Sequence, residues 1–181
     1  MTDGHCFISY SHADGLDFVK KLITELEGGY PHIPVWFEKR DIVADKDDWD
    51  DQLAKAIQQC KCLIYVMSQD STADHSNCKD EWAWALKYKK PVLCLWIDNK
   101  AEDQFRLNSR QKIDFTADFS AGLGKLRKAI DHLDSPKGQL EELNHRLADA
   151  NRDLRRASEE KKALIQSDID GNYAFRISHF Y

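Results

Sequence analysis

The sequence lacks the segments that mark membrane and secreted proteins. No apolar run among its 181 residues approaches the roughly 20 residues that a membrane-spanning helix needs, and Met1 is not followed by a basic stretch and an apolar leader. Its five cysteines are an odd number and contain no CxxC pair, which argues against a disulfide framework and a zinc site. We therefore expect a soluble, cytoplasmic protein that spans no membrane and binds no metal.

Excess positive charge and glycine-rich phosphate loops are also missing. The formal net charge is -5 and the pI is near 5.8, so no concentrated basic face is available for a nucleic-acid backbone. Neither a GxGxxG pattern nor a P-loop follows the first apolar run of the chain. These absences argue against nucleic acid as the main partner and against ordinary Rossmann-type phosphate binding.

The chain is long enough for one hydrophobic core and an appendage. With 181 residues and 42% apolar content, two full domains are hardly expected. Ser135-Pro136-Lys137-Gly138 has the composition of a linker. We therefore divide the chain into a domain over residues 1–134, a linker and amphipathic helix over 135–167, and a short β-like tail over 168–181.

Apolar runs alternate with helical patterns along the first domain. The predicted strands are Cys6–Tyr10, Val35–Phe37, Cys62–Met67, Pro91–Ile97 and Gln111–Phe115. Runs that are apolar at every position are typical of strands covered on both faces. The alternation predicts an α/β domain with a flavodoxin-like, doubly wound, five-stranded parallel sheet in the order 2-1-3-4-5. Ligands of such sheets bind beyond the carboxyl ends of strands 1 and 3, where the order reverses.

The connections differ in character. Helical spacing is found over Leu16–Leu26, Trp49–Gln59, Cys78–Lys89 and Leu123–Leu133. Residues Glu38–Asp48 are charged and have no periodicity, which predicts a long exposed loop. Ser68–His75 is predicted as a polar connection after the third strand. Long loops on compact domains are usually functional or mobile.

Glu81 lies early in the helix that follows the third predicted strand. It borders the buried stripe of that helix, which Cys78 and Trp82 help to form. Its position beside the predicted crevice makes it a candidate functional residue. The alternative is an ordinary acid in a first turn, where negative charge suits the helix macrodipole, with Asn77 or Ser76 as the N-cap.

Several motifs together carry a family resemblance over residues 4–133. They are Phe7-Ile8-Ser9-Tyr10-Ser11, Val35-Trp36-Phe37 leading to Arg40-Asp41-Ile42, Trp49, Cys62–Ser68, and Cys78-Lys79-Asp80-Glu81. In order and spacing they resemble a Toll/interleukin-1 receptor (TIR) domain. The residues of these motifs are more similar to those of the bacterial, NAD+-cleaving subgroup than to those of animal receptors.

The resemblance implies an enzyme with Glu81 as its catalytic residue. Such enzymes cleave NAD+ at the nicotinamide-ribose bond, giving nicotinamide and ADP-ribose or a cyclic isomer, so NAD+ is the substrate and no cofactor is implied. Cys78 matches a cysteine that lies three residues before the glutamate, whereas Asn77 stands where several relatives have tryptophan. Self-association through the loop 38–48 in immune or antiviral defence signalling is also implied. The family's other branch, a non-catalytic interaction module, is the alternative.

The other candidate residues lie at the ends of the predicted strands or in the loops after them. The ring of Tyr10 can stack on a base, and Arg40 can bind phosphate while Asp41 orders the loop. Trp49 is either a ligand contact or a packing anchor, and His12 either binds substrate or is a solvated loop residue. The candidates for NAD+ binding are Tyr10, Ser11, His12, Arg40, Asp41, Trp49 and Cys78.

One carboxylate can suffice for this chemistry. Cleavage of a bond between ribose and a pyridinium develops oxocarbenium character at the sugar, and the leaving group needs no proton because it is already cationic. A fixed anion near the ribose stabilises that charge, as glycosidase carboxylates do.

The tail has its own pattern. Leucines at positions 140, 143, 147 and 154 keep a 3-4 spacing that predicts an amphipathic helix able to pair as a coiled coil over 140–164. Asp168-Ile169-Asp170-Gly171-Asn172 is a turn that lacks the distal glutamate of a calcium loop. The aromatic residues that follow predict a strand that either begins a further domain of a longer chain or pairs with another subunit.

Overall fold

The computed structural model describes residues 4–42, 49–156, 166–167 and 169–170, without the side chain of Lys39. The chain divides into two compact units, Met1–Asp131 and His132–Tyr181, each described below by itself. The predicted β-like tail over 168–181 lies outside the described residues apart from 169–170, which are helical.

A parallel sheet of five strands forms the centre of the first unit. Its order is β2-β1-β3-β4-β5, which confirms the predicted doubly wound topology. Cys6 is paired with Val35 on one side and with Cys62 on the other, so β1 lies between β2 and β3. The strands are β1 (Cys6–Ser9), β2 (Val35–Trp36), β3 (Cys62–Met67), β4 (Val92–Trp96) and β5 (Lys112–Asp114).

Helices connect these strands in the predicted alternation. A short 3-10 helix, Phe105–Leu107, precedes β5. The α-helices are α1 (Leu16–Gly28), α2 (Glu38–Asp41), α3 (Trp49–Gln59), α4 (Gln69–Thr72), α5 (Cys78–Lys87), α6 (Phe119–His132) and α7 (Pro136–Arg156).

The hydrophobic core packs the central strands and α5 together. Every residue of β3 is buried, as expected for a strand covered on both faces. Phe7 of β1 stacks on Trp36 of β2 with ring centroids 4.9 Å apart. Trp82 and Ala85 of α5 are buried in the same cluster, and each large apolar side chain buried there contributes about 1.5 to 3 kcal/mol. The start of α5 is therefore fixed against the sheet.

The predicted loop over Glu38–Asp48 is wrong in its first part, where Glu38–Asp41 form the helical turn α2. The Asp41 carboxylate accepts a hydrogen bond from the Phe37 N–H at 2.6 Å, and the Ile42 N–H donates to the Glu38 carbonyl at 3.1 Å. These bonds close the turn although its residues have no apolar periodicity. Residues 43–48 lie outside the described part of the chain.

The predicted connection Ser68–His75 also contains a helical turn, α4. Ser68 accepts a hydrogen bond from the Ser71 N–H at 3.2 Å, and the Ser71 hydroxyl accepts one from the Ser68 N–H at 2.8 Å. This is a capping box with serine in the place of the usual glutamate. The turn fixes the residues between β3 and α5.

In the second unit, α7 begins at Pro136, so most of the predicted linker is helical. Ser135 caps it by accepting a hydrogen bond from the Gly138 N–H at 3.0 Å, and proline is favoured at the first helical position because no partner for its nitrogen is lost there. Coiled-coil pairing over 140–164 stays a prediction, and residues 157–164 of that seam lie outside the described residues. None of the helices in the described ranges combines the length and apolarity that a membrane crossing requires.

Candidate active site

A cleft of about 520 Å³ opens at the carboxyl ends of β1 and β3, where the strand order reverses. Its walls come from the loop after β1, the start of α2, the first turns of α3, α4, and the approach to α5 with its first turn. The lining residues are Tyr10, Ser11, His12, Glu38, Trp49, Asp50, Leu53, Asp70, His75, Ser76, Asn77, Cys78, Asp80 and Glu81.

Glu81 lies in the first turn of α5, and its side chain is only partly accessible. Its Oε2 atom is buried and has no hydrogen-bond partner among the described residues. Loss of hydration raises the pKa of Glu81 to about 7, and the charges of Glu38 and Asp80 act in the same direction, while the Ser9 hydroxyl opposes them. An acid with this pKa titrates near neutral pH, which is a frequent property of functional carboxylates.

The start of α5 leaves this carboxylate without local compensation. Asn77 occupies the N-cap position, but its side chain makes no capping hydrogen bond. The Glu81 N–H donates to the Asn77 carbonyl at 3.2 Å, so the backbone of this turn is satisfied internally. Asn77 is therefore the N-cap by its backbone position, while the Ser76 hydroxyl accepts the Cys78 N–H at 3.4 Å.

Cys78 lines the cleft one turn before Glu81 as a neutral thiol. Its side chain is buried, and desolvation together with the charge of Glu81 raises the pKa of Cys78 to about 12. Because the thiolate is the nucleophilic form of cysteine, Cys78 is not placed to attack a substrate. It is a weakly polar part of the cleft wall.

A hydrogen-bond network fixes the loop after β1 to α4. The Ser11 hydroxyl donates to Asp70 Oδ2 at 2.5 Å, and His75 Nε2 lies 3.1 Å from Asp70 Oδ1. Asp14 accepts from the Ser68 hydroxyl at 2.5 Å and from the Asp70 N–H at 2.8 Å. The bond from Ser11, followed by that with His75, holds the pKa of Asp70 below its usual value. One wall of the cleft is thereby held in place before any ligand arrives.

Aromatic rings line the cleft at two depths. Tyr10 is buried, with its ring centroid 5.6 Å from Phe37 and 5.0 Å from His12. Desolvation and the nearby acids raise the pKa of Tyr10, so it is a neutral phenol at physiological pH. Trp49, in contrast, is 50% exposed at the start of α3, and its indole face is accessible to a ligand. The Nε2 atom of His12 lies 3.0 Å from the Glu38 carboxylate, so the imidazole ring is engaged by that acid.

Arg40 and Asp41 are not among the described residues that line the cleft, and their role as substrate contacts stays a prediction. The Arg40 guanidinium donates to both Glu27 oxygens at 2.9 and 3.0 Å and to Asp41 at 2.8 Å, and it also contacts the Val35 carbonyl. These carboxylates raise the pKa of Arg40 and saturate its donors. Arg40 therefore ties α2 to α1, and Asp41 closes the turn.

The structure adds acidic residues that the sequence pattern did not reveal. Glu38, Asp50, Asp70 and Asp80 join Glu81 in the lining, whereas no lysine or arginine is found among the described residues that line the cleft. No group of three histidine, cysteine or acidic side chains within the described ranges is arranged to hold a metal ion. The signal that could have identified Asp70 is its position one residue into the turn that Ser68 caps.

Comparisons with known proteins agree with this architecture. Among solved structures, the TIR domain of the Toll-related receptor TRR-2 from Hydra magnipapillata is similar, with a TM-score of 0.61 and 18% identity over 71% of this chain and 98% of that one. The TIR domains of the activated Roq1 resistosome, which directly recognises the pathogen effector XopQ, give a TM-score of 0.53 and 16% identity over 70% and 99% of the two chains. A search of curated proteins gives no significant match. A family profile described as TIR domain matches residues 6–127, and the chain therefore belongs to the TIR domain family.

Proposed function

We propose that the protein is an NAD+ nucleosidase that cleaves the nicotinamide-ribose bond. The observation that carries this proposal is Glu81, a partly buried carboxyl with an unpartnered oxygen at the ligand crevice of the sheet. Within a TIR domain, an acid in the helix after the third strand is the position at which the NAD+-cleaving relatives resembled by this chain carry their catalytic glutamate.

The chemistry needs the ionised form of Glu81. As the bond between C1′ of the ribose and the pyridinium nitrogen breaks, its electron pair moves onto nicotinamide and positive charge spreads over the sugar ring. A carboxylate beside the ribose stabilises that charge most when it is shielded from water. Because the Glu81 pKa is near 7, a cationic pyridinium in the cleft also favours the ionised form that the reaction uses.

The rest of the cleft supplies orientation. The exposed face of Trp49 and the ring of Tyr10 offer stacking surfaces for nicotinamide or adenine. Cys78 lines the wall near Glu81 without competing as a nucleophile, and Ser11 is held by Asp70. Two other acids of the described lining, Glu38 and Asp70, already have hydrogen-bond partners. The remaining two, Asp50 and Asp80, are exposed at the surface, so none of the four is placed to replace Glu81.

The ribosyl cation has two fates. Water can add its oxygen to C1′ and lose a proton to solvent, which gives ADP-ribose. A nucleophile of the same nucleotide can instead close a ring, which gives a cyclic isomer. Both products follow from the same bond cleavage, and mass spectrometry of the products distinguishes them.

We place this activity in defence signalling that depends on self-association in the cytoplasm. The Roq1 TIR domains, to which this chain is similar, belong to an activated resistosome. In this chain the segment 38–48 and the predicted coiled coil over 140–164 are the proposed means of association. Clustering of the protein is therefore expected to increase cleavage.

The direct test is nicotinamide release from NAD+ by the purified chain at high concentration. Glu81→Gln removes the charge with little change in shape, and we expect it to lower kcat/KM by about 100-fold, the usual effect of losing a transition-state electrostatic group. Asp51→Asn in the neighbouring helix α3 is the matched control, because Asp51 is exposed and does not line the cleft. Equal rates of nicotinamide release by wild type and Glu81→Gln in clustered samples would exclude the proposed enzymatic function.

The second candidate function is a non-catalytic module that nucleates signalling assemblies. The acidic lining favours it, because the described lining residues offer no lysine or arginine to the NAD+ pyrophosphate. This function predicts that Glu81→Gln leaves signalling intact, whereas disruption of the turn Glu38–Asp41 abolishes assembly. The enzyme predicts loss of signalling in both variants.

A further inference from the structure

The charges that line the cleft are strongly unequal. Five of the lining side chains are carboxylic acids, two are histidines, and none of those in the described ranges is lysine or arginine. The cleft is therefore an anionic environment at neutral pH.

Two of these acids are compensated by their neighbours. Glu38 faces His12 at 3.0 Å, and Asp70 is held by Ser11 and His75. Asp50 and Asp80 are different, because no hydrogen bond or ion pair among the described residues engages their side chains, and the Oε2 atom of Glu81 is buried without a partner there. The uncompensated charge is thus located on α3 and α5.

The helix starts that line the cleft are poorly suited to bind a phosphate. In the first turn of α5, the Cys78 N–H points to the Ser76 hydroxyl at 3.4 Å and the Asp80 N–H donates to the Asn77 carbonyl at 3.0 Å. The first turn of α3 carries Asp50 and Asp51, which repel an anion from that helix end. A phosphate at these helix starts would meet occupied donors on α5 and negative charge on α3.

We propose, on the basis of the nucleosidase function above, that the cleft selects pyridinium nucleosides by charge and takes nicotinamide riboside in preference to NAD+, and NAD+ in preference to NADP+. Nicotinamide riboside is a cation. The pyrophosphate makes NAD+ a net anion, and NADP+ carries one phosphate more. In each case the C1′–N bond breaks with its electron pair moving to nicotinamide, water oxygen bonds to C1′, and the proton of water goes to solvent.

Ionic strength separates selection by charge from selection by shape. We expect added salt to lower kcat/KM for nicotinamide riboside and to raise it for NADP+, because screening weakens both the attraction and the repulsion. NAD+ lies between the two. The measurement is nicotinamide release from each substrate at pH 8, where Glu81 is ionised, at low and at high concentrations of sodium chloride.

Variants at Asp50 assign the selection to the cleft. Asp50→Lys is expected to lower kcat/KM for nicotinamide riboside by about threefold and to raise that for NADP+ by about threefold, the usual size of one partly screened charge interaction. Asp51→Lys is the matched control: it makes the same charge change on the next residue of α3, outside the cleft lining. We expect Asp51→Lys to shift the substrate ratio less than half as much on the logarithmic scale.

The outcomes keep this inference apart from the proposed function. If NAD+ is cleaved in a Glu81-dependent way but NADP+ is preferred, or if salt changes all three rates in the same direction, selection by charge is overturned and the nucleosidase function stands. If none of the three pyridinium nucleosides is cleaved, both proposals fail. Preference for the riboside with opposite salt effects, and a larger response to Asp50→Lys than to Asp51→Lys, supports the inference.

Discussion

The helical turn α2 and the first turn of α5 lie at the same edge of the sheet, and their charged side chains have opposite environments. In α2, after β2, Arg40 binds Glu27 and Asp41, and Asp41 also accepts the Phe37 N–H, so both of these charged side chains have partners. In α5, after β3, the Oε2 atom of Glu81 is buried without a partner among the described residues. The paired charges of α2 stabilise the fold, whereas the charge of Glu81 in α5 lowers stability. A charge that is kept although it lowers stability is expected at a functional site.

The largest expected effect on stability is at Glu81. Because its pKa in the folded protein is about 7, above its unfolded value, its contribution to stability is present in full at acid pH and is lost as the pH rises through 7. Glu81→Gln should therefore raise the free energy of unfolding at pH 8 by roughly 2 to 3 kcal/mol, with little effect near pH 4.5. Urea unfolding at the two pH values measures this difference. A variant that is less stable than wild type at pH 8 would contradict the comparison.

The opposite sign is expected at Asp41. Asp41→Ala removes the acceptor of the Phe37 N–H and a partner of Arg40, and it should lower the free energy of unfolding by about 1 to 2 kcal/mol. Asp41→Asn retains an acceptor oxygen and should recover about half of the loss. Urea unfolding at pH 8 serves here too, and a stabilising effect of Asp41→Ala would remove the contrast between the two turns.

A smaller effect is expected at the cap of α4, which holds the cleft wall through a neutral group. Ser68→Ala deletes the acceptor of the Ser71 N–H and the donor to Asp14, and it should cost about 1 kcal/mol. Thr24→Ala in α1 is the control, since its hydroxyl is exposed and bonds only to the Lys20 carbonyl, and it should change stability by less than about 0.5 kcal/mol. Thermal unfolding of the two variants under one condition measures both losses of stability. Equal losses would show that the Ser68 cap stabilises the fold no more than an exposed hydroxyl does.

The sheet could be predicted from the sequence because its evidence is local. The unbroken apolar run of Cys62–Met67, and the alternation of strands with helical spacing, constrain the strand order to few choices. The turns were predicted less well because long-range partners decide them. Arg40 is satisfied by Glu27, which lies 13 residues earlier on another helix, and no sequence pattern reports such a contact.

The candidate site shows the same division. The position of Glu81 follows from the helix that comes after the third strand, and its prediction needed no coordinates. Its unpartnered oxygen and raised pKa depend on burial and on Glu38 and Asp80, which only the folded chain brings near. Activity, substrate contacts and association through 38–48 stay predictions.

The most direct test of the central claim is the pH dependence of kcat/KM for nicotinamide release from NAD+. If the ionised Glu81 carboxylate drives cleavage, kcat/KM should rise about tenfold per pH unit below a midpoint near 7 and level off above it, and Glu81→Gln should lose both the activity and the profile. A wild-type rate and an unchanged profile in Glu81→Gln would contradict the account.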